Sequence, residues 1–325
     1  MRERSILGID IFLIAATLAL VTIGVLFVYS SGVTSDGISF TREWLRQLIW
    51  AGVGLVILTG VALVDYGRIR SWTPYIYGAL MLTLVGTLLW GRVVNGARSW
   101  IGIGELGVQP SEFAKIGTIL MLAAYFDRKR AAISRPGTFL VSLAIILLPM
   151  GLVLIQPDLG TAMVFVPIFV IMAFVAGVRP SYLLFILGAG ILMVVLAALP
   201  AWAEYIRGEN VAFVRVLTEA RLLVLVIGVV VLVGVLGLLG VYLMKRSYFK
   251  WVTYASGMVL AALIGSVMAR RVLLDHQMMR LIVFLNPNID PQGAGWNIIQ
   301  SVTAVGSGGL AGKGWRGGTQ SHLQY

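Results

Sequence analysis

The sequence predicts an all-α polytopic integral membrane protein, and three observations lead to this fold class. Of the 325 residues, 59% are hydrophobic and 12% are charged, and the mean hydropathy of +0.93 lies far above that of soluble domains. The apolar residues also form runs of about twenty, the length that an α-helix needs to cross a bilayer. The alternating ten-residue segments of a transmembrane β-barrel do not occur. A membrane-embedded helical bundle is therefore predicted.

Nine apolar runs predict nine membrane-spanning helices. They lie near residues 8–30, 44–64, 72–90, 110–126, 138–155, 159–178, 181–199, 222–244 and 251–269. The first run is too long for a signal peptide and lacks a small-residue cleavage site, so we predict that it remains as a span. Residues 1–269 thus form the predicted transmembrane bundle, and residues 270–325 form a separate extracytoplasmic segment.

Lysine and arginine are distributed unequally between the loops, and this asymmetry predicts the orientation. One set of loops is short and strongly basic, with Arg2, Arg4, Arg68, Arg70, Arg128, Lys129, Arg130, Arg135, Arg179, Lys245, Arg246 and Lys250. The opposite set is longer and, before residue 270, carries only Arg42, Arg46, Arg92, Arg98, Arg207, Arg215 and Arg221. Because short cytoplasmic loops are enriched in basic residues, the N-terminus is predicted to be cytoplasmic. Residues 91–109, 200–221 and 270–325 are then extracytoplasmic.

The charge and the missing residue types exclude several classes of function. The net charge of +11 comes from loops between apolar runs, where basic residues set topology and favour anionic lipids rather than nucleic acid. The chain contains no cysteine, which excludes disulfides, thiolate zinc sites and cysteine nucleophiles. With only His276 and His322 available, a histidine-based triad or metal cluster is not expected. Catalysis would use carboxylates, lysine, arginine or backbone dipoles.

Residues 96–115 concentrate polar side chains in an otherwise aliphatic chain. Pro110 suits the first turn of a helix, so Glu112 and Lys115, three residues apart, share one helix face. A lipid-facing ion would cost roughly 2.5–3.5 kcal/mol, so the pair is predicted to face protein or a wet cavity. It is either an ion pair that fixes helix packing or part of a functional polar site. The candidate site residues of this stretch are Arg98, Trp100, Gln109, Ser111, Glu112 and Lys115.

A second Gln-Pro sequence, at residues 156–161, opens another predicted span on the same side of the membrane. Its carboxylate, Asp158, lies just inside the helix start. Two helix N-termini, each with about half a positive charge, are therefore predicted to point at one region near the outer surface. Helix N-termini with a nearby lysine are suited to anions such as a phosphorylated lipid headgroup. Asp158 alternatively serves only as an N-terminal helix cap.

Two further outer segments predict helices too short to span. Residues 200–221 mix charged and aromatic side chains, which is typical of a short amphipathic helix at the membrane interface. Residues 293–305 form a short apolar run that predicts a re-entrant or surface half-helix. In the glycine-rich residues 306–321, backbone amides can approach a ligand closely, and a flexible linker is the alternative. The candidate binding residues of these segments are Gln300, Ser301, Lys313 and Arg316.

Five stretches carry a resemblance to a known family. They are residues 96–100 (Gly-Ala-Arg-Ser-Trp), 108–115 (Val-Gln-Pro-Ser-Glu-Phe-Ala-Lys), 156–161 (Gln-Pro-Asp-Leu-Gly-Thr), 293–301 (Gly-Ala-Gly-Trp-Asn-Ile-Ile-Gln-Ser) and the glycine-rich 306–321. In this order and topology they resemble the SEDS family (shape, elongation, division and sporulation). The end of the last stretch is more similar to the elongation members than to the division members. The resemblance covers most of the chain, but residues 200–265 match poorly and the eighth span is additional to the family's usual ten.

The resemblance implies a peptidoglycan glycosyltransferase that polymerises lipid II at the outer membrane face, with a class B penicillin-binding protein as transpeptidase partner. An acceptor hydroxyl attacks the anomeric carbon of the donor and undecaprenyl pyrophosphate leaves, which requires a general base and cations. Lys115, Arg98 and Lys313 fit the pyrophosphate, while Glu112 and Asp158 would orient Lys115 and the acceptor, or lie close to the base. A divalent cation is a further candidate. The remaining residues of the implied substrate site are Trp100, Gln109, Ser111, Gln300, Ser301 and Arg316.

One departure from the family concerns the catalytic base. In the family, the Gly-Thr-Gln-Ser sequence is followed by an outer segment ending His-Thr-Asp-Phe, whose aspartate is taken as the base, and by two more spans. This sequence ends at Tyr325, so we expect the chain as given to be shortened and inactive alone. A lipid II flippase and a non-catalytic scaffold for a transpeptidase are the alternatives. A flippase needs a polar path open to both faces, whereas Glu112, Lys115 and Asp158 all lie in the predicted outer half.

Overall fold

The computed structural model describes residues 10–33, 41–94, 96–103, 106–207, 212–272 and 275–318. Arg2 and Arg4 of the orientation argument lie outside these ranges, as do the last three residues of the 306–321 stretch. Within them the chain forms twelve α-helices and one three-stranded sheet.

Each of the nine predicted spans corresponds to a helix. In chain order these helices are α1 (Ile11–Ser31), α2 (Glu43–Leu63), α3 (Tyr66–Trp90), α4 (Pro110–Arg128), α5 (Pro136–Ile155), α6 (Leu159–Ala176), α7 (Pro180–Trp202), α9 (Ala220–Met244) and α10 (Ser247–Val272). Within the described residues, eight of them are long and apolar enough to cross a membrane. The exception is α4, which carries two charged residues near each end. The predicted class is confirmed: the chain is a polytopic membrane protein whose membrane-spanning segments are all α-helices.

Local sequence sets the ends of these helices. Asp10 and Asp158 cap the N-termini of α1 and α6, each accepting a hydrogen bond from a backbone N–H three residues on, as N-cap aspartates do. Proline occupies the first turn of α4, α5 and α7, where its missing N–H would have no intrahelical partner. Gly177, with φ of +88°, ends α6 in a left-handed conformation that glycine adopts without strain.

Two shorter helices confirm the predicted non-spanning segments. Between α7 and α9, a π-helical turn (Ala203–Arg207) leads to α8 (Ala212–Thr218), the short helix predicted within residues 200–221. After α10 come α11 (Asp275–Leu285), a 3-10 turn (Pro287–Ile289) and α12 (Trp296–Gly308). With 13 residues, α12 is only about 20 Å long at a rise of 1.5 Å per residue. It therefore cannot cross a bilayer, as its apolar run predicted.

The predicted outer loop at 91–109 contains a small antiparallel meander. Strands β1 (Arg92–Val94), β2 (Ala97–Ile103) and β3 (Leu106–Val108) pair in sequence order. Ile101 lies opposite Val108, and Arg92 lies opposite Trp100. The sheet packs on α3 and α4 through β2, so it brings the 96–100 stretch to the ends of these two helices.

Contacts divide the chain into two packing units. The first unit comprises the described residues of Met1–Asp65 and Asn286–Tyr325, and the second comprises those of Tyr66–Leu285. One buried core of the second unit joins α3, α4, α5 and α6, with side chains that include Leu84, Leu122, Val153, Phe165 and Phe169. A smaller core joins α7, α8 and α10 around Leu196, Leu217, Ala262 and Leu263. The predicted division at residue 269 concerns membrane location and stays a prediction.

Glycines allow α9 and α10 to approach closely. A Cβ atom on Gly237 would lie 2.7 Å from Thr253 Oγ1 and 3.2 Å from the backbone nitrogen of Thr253, and one on Gly240 would lie 2.4 Å from the Phe249 ring. Because helices in lipid gain no hydrophobic free energy by associating, small residues that permit close packing stabilise such pairs.

We expect Gly237→Ala to lower the thermal stability of the detergent-solubilised protein, because the added methyl group must push against the backbone of α10. Overpacking of this kind costs about 1–3 kcal/mol. Gly228→Ala is the matched control, since it lies on the same helix with no atom within 4 Å of its new Cβ and gains helix propensity. Equal unfolding midpoints for the two variants would contradict the close α9–α10 contact.

Candidate functional site

The first turns of α4 hold the predicted ion pair. Lys115 Nζ lies 2.8 Å from Glu112 Oε1 and 2.7 Å from Glu112 Oε2. The lysine side chain is 17% exposed and the glutamate side chain is 52% exposed. The ammonium group is therefore held in a mostly buried position, where charge acts more strongly than in water, while the carboxylate reaches the surface.

The N-terminus of α6 is joined directly to that of α4. Gln109, the N-cap residue of α4, donates from Nε2 to Asp158 Oδ2 at 2.8 Å. Asp158 also accepts from the backbone N–H of Thr161 at 3.1 Å and from the Thr161 hydroxyl at 2.9 Å. The predicted cap is thus present, and so is the predicted meeting of two helix N-termini. Their dipoles place partial positive charge at one location.

Two buried oxygens lie near these helix starts. Gln156 is 1% exposed and donates from Nε2 to the carbonyl of Leu84 in α3 at 3.0 Å. Within the described residues, neither Gln156 Oε1 nor Ser111 Oγ has a hydrogen-bond partner. Buried polar atoms in proteins are almost always hydrogen-bonded. Each of these two oxygens beside the candidate site can therefore accept a further hydrogen bond.

The sheet carries the next two candidate residues. Arg98 is exposed, and its Nη1 lies 3.5 Å from the carbonyl of Leu89, close to the C-terminus of α3, where a cation is favourable. Trp100 lies across Gly107, since a Cβ at that glycine would come within 2.9 Å of the indole ring. Because Gly107 has no side chain, the indole ring of Trp100 can lie directly against its backbone.

The other four candidate residues belong to the first unit. Gln300 is half-buried and Ser301 is exposed on α12, where the Ser301 hydroxyl donates to the Asn297 carbonyl at 2.7 Å. The turn before α12 is built by Asp290, whose carboxylate accepts from the backbone N–H groups of Gly293 and Ala294.

The glycine-rich segment after α12 folds against the end of α1. The Trp315 ring stacks on Tyr29 with centroids 6.3 Å apart, and the backbone N–H of Arg316 donates to Ser30 Oγ at 2.9 Å. Lys313 is exposed. Three glycines have positive φ, which permits the sharp course of the chain: Gly309, Gly312 and Gly314.

The structure thus brings together Gln109, Ser111, Glu112, Lys115 and Asp158 at the starts of α4 and α6, with the sheet bearing Arg98 and Trp100 packed on α3 and α4. Gln300, Ser301, Lys313 and Arg316 form a separate group within the first unit. Sequence reasoning did not single out Thr161 or Gln156 as site residues. The signal was present, because both belong to the second Gln-Pro sequence.

Comparisons with known proteins agree with the resemblance carried by the motifs. Residues 11–221 and 209–325 match the family of FtsW, RodA and SpoVE, described as cell cycle proteins. The chain is 44% identical over its whole length to the peptidoglycan glycosyltransferase RodA of Treponema pallidum, covering 75% of that protein. It is 30% identical to the stage V sporulation protein E of Bacillus subtilis, covering 94% of this chain and 65% of that protein.

A solved structure is also similar. It comes from work on the structural coordination of polymerization and crosslinking by a peptidoglycan synthase complex, and the match has a TM-score of 0.52 at 25% identity. The match covers 93% of this chain and 66% of that chain. The chain therefore spans between about two thirds and three quarters of the length of these three proteins.

Proposed function

The chain belongs to the family of FtsW, RodA and SpoVE cell cycle proteins, the SEDS family, and on this basis we propose that it is a peptidoglycan glycosyltransferase. It polymerises lipid II into glycan strands at the outer face of the membrane during cell elongation and releases undecaprenyl pyrophosphate. The 44% identity to a relative named a peptidoglycan glycosyltransferase supports this assignment. The observation that carries it is the junction of the α4 and α6 N-termini through Gln109 and Asp158, with Lys115 in the second turn of α4.

This junction suits the leaving group of the proposed reaction. As the glycosidic bond forms, negative charge develops on the departing pyrophosphate, and fixed dipoles and cations stabilise such charge. The two helix N-termini, the Lys115 ammonium and the Arg98 guanidinium supply the positive charge in this proposal. Glu112 holds Lys115 in place, and Asp158 fixes the two helix starts relative to each other.

The placement of the polar groups favours polymerisation over lipid transport. A flippase moves a headgroup across the whole membrane and needs polar groups along its path. Glu112 and Lys115 lie in the first two turns of α4, and Asp158 caps the start of α6, so all three lie near one membrane surface. This distribution fits chemistry at that surface.

A class B penicillin-binding protein is the proposed partner. The similar solved structure belongs to a complex that coordinates polymerization and crosslinking. Crosslinking requires transpeptidation, which a transpeptidase would supply to a polymerase that lacks it. A glycosyltransferase that makes strands but does not crosslink them would therefore act together with a transpeptidase.

The proposed location is the bacterial cytoplasmic membrane, with the N-terminus in the cytoplasm. Of the basic loop residues that predict this orientation, those that the structure describes are exposed at one end of α3, α4, α5, α7, α9 and α10. In this proposal the glycine-rich segment, which contacts the end of α1 through Trp315 and Arg316, lies on the side where α1 ends. With α1 starting in the cytoplasm, that side is the outside, as the proposed function requires.

Single cysteines test this orientation, because the 325 residues contain no cysteine. We expect Arg98→Cys and Arg130→Cys, both at exposed positions, to react with a membrane-impermeant maleimide from opposite sides of the membrane. The cysteine of Arg98→Cys should react in intact spheroplasts, and that of Arg130→Cys only after lysis. Labelling of both from the same side would overturn the orientation.

The proposed activity is tested with the purified full-length protein and its transpeptidase partner in proteoliposomes containing lipid II. Glycan strands resolved by gel electrophoresis are the expected product. A flippase would instead move lipid II between leaflets without making strands, and a scaffold would stimulate the partner's crosslinking of preformed strands alone. Either outcome would replace the proposed glycosyltransferase.

A further inference from the structure

A notch opens between α3 and α4 at the end of the second unit opposite to the candidate site. Its cavity volume is about 300 Å³. The walls are formed by Ile69, Arg70, Thr73, Leu120, Ala123, Ala124 and Asp127. The small side chains of Thr73, Ala123 and Ala124 leave the space open. The candidate site uses the start of α4, whereas the notch uses its last turns.

The depth of the notch matches a lipid standing in the membrane. Thr73 lies seven residues after the start of α3 and Leu120 eight residues before the end of α4, which corresponds to about 10–12 Å at 1.5 Å per residue. With the basic ends of α3 and α4 at the membrane surface, as proposed above, the mouth would lie at the level of the headgroups and the floor at the level of the upper acyl chains. The deeper walls are aliphatic apart from Thr73, whose hydroxyl donates to the Ile69 carbonyl within α3.

Arg70 stands at the mouth of the notch and pairs with Asp127 across the two helices. The two side chains are 58% and 49% exposed, so the pair itself contributes little stability. The bond to Asp127 uses Nη2 of the guanidinium. Arginine has five N–H donors in a planar fork that matches phosphate oxygens, so the bond to Asp127 leaves other donors of Arg70 for an anion.

The surrounding surface is strongly basic. At this end of the second unit, ten exposed basic side chains accompany the carboxylate of Asp127, and a second exposed carboxylate, Asp65, directly precedes α3, among the residues that the structure describes. The ten are Arg68, Arg70, Arg128, Lys129, Arg130, Arg135, Arg179, Lys245, Arg246 and Lys250. Basic residues at a membrane surface attract anionic lipid by about 1 kcal/mol each. In addition to this charge attraction, the notch offers an aliphatic floor for an acyl chain and an arginine at its mouth for a phosphate.

We propose that this notch binds one anionic phospholipid. The phosphate lies on Arg70, and part of an acyl chain lies along Leu120 and Ala123. Zwitterionic lipid would fit the notch but would lose the attraction of the basic surface. The proposal is independent of the glycosyltransferase activity, because it rests on the other end of α4.

The test is native mass spectrometry of the full-length protein released from nanodiscs containing phosphatidylglycerol or phosphatidylcholine. We expect one phosphatidylglycerol molecule to be retained, and no phosphatidylcholine. Arg70→Gln and Ala123→Leu should each lower retention about tenfold, which corresponds to about 1.4 kcal/mol. Ala123→Leu is informative because it fills the notch at an exposed position without changing the charge.

Two further variants separate the notch from its surroundings. Arg246→Gln removes the same charge from the same basic end, in the turn between α9 and α10, and should lower retention less than Arg70→Gln does. Asp127→Asn breaks the ion pair but frees Arg70, so retention should be kept or raised. All variants should unfold at wild-type temperature without phosphatidylglycerol.

Several results would overturn the proposal. Equal losses in Arg70→Gln and Arg246→Gln would mean diffuse attraction by the basic surface. No loss in Ala123→Leu would mean that no chain enters the notch. Displacement of the lipid by millimolar inorganic phosphate would identify a site for a free anion. Loss in Asp127→Asn would mean that the ion pair holds the notch together and Arg70 does not bind the lipid.

Discussion

Lipid II polymerisation is expected to fall by about 10²–10³-fold in Lys115→Ala, the magnitude found when one preorganised group that stabilises developing charge is removed. The melting temperature should stay close to that of the wild type. Glu112 is half exposed, so its carboxylate can turn to water when the lysine is lost, and partly exposed ion pairs contribute little to folding. The measurement pairs glycan synthesis in proteoliposomes with thermal unfolding of the same preparation.

Two companion variants distinguish a required cation from a structural ion pair. Glu112→Gln breaks the pair but keeps the ammonium group, so it should reduce polymerisation less than Lys115→Ala does. Lys129→Ala removes a lysine at the other end of α4 and should leave polymerisation unchanged. If Glu112→Gln and Lys115→Ala instead had equal effects, each lowering activity in step with stability, the Glu112–Lys115 ion pair would serve helix packing alone.

The spanning helices could be predicted because lipid imposes a simple rule on the sequence. A segment that crosses the hydrocarbon must be apolar and about twenty residues long, and Lys/Arg runs and prolines mark where it begins. The start of α6 was predictable for a further reason: the chain crosses the membrane in alternating directions. Two Gln-Pro sequences two spans apart must then lie on the same side.

The sheet could not be predicted from the same signals. Two of its strands, β1 and β3, are three residues long, too short for alternation to be visible. Its pairing depends on β2 packing against α3 and α4, which is a tertiary contact. The direct bond from Gln109 to Asp158 was equally hidden, since sequence placed the two helix starts near one surface but not within 2.8 Å of each other. The notch at the other end of α4 depends on which faces of α3 and α4 meet.

Asp158 has two possible roles, as the N-cap of α6 and as a residue of the candidate site that ties α6 to α4. Different hydrogen bonds of its carboxylate serve the two roles. Its Oδ1 accepts from the Thr161 N–H, which caps α6, and its Oδ2 accepts from Gln109, which ties α6 to α4. Loss of an N-cap costs about 1 kcal/mol. An asparagine keeps an oxygen for the cap but removes the negative charge and one acceptor.

We expect Asp158→Asn to lower polymerisation about 10²-fold, the loss that a misplacement of reacting groups by about 1 Å can cause, while the melting temperature changes little. Asp158→Ala should lose the same activity and also unfold at a lower temperature, because it removes the cap as well. Asp10→Asn is the matched control, since Asp10 caps α1 through the same kind of bond, 3.1 Å from the Leu13 N–H, outside the site. If Asp158→Asn kept full activity and only Asp158→Ala lost it in step with its stability, the residue would serve as a helix cap alone. Asp158 would then have no part in the chemistry. Lys115 and the two helix N-termini would remain as the groups that hold the pyrophosphate.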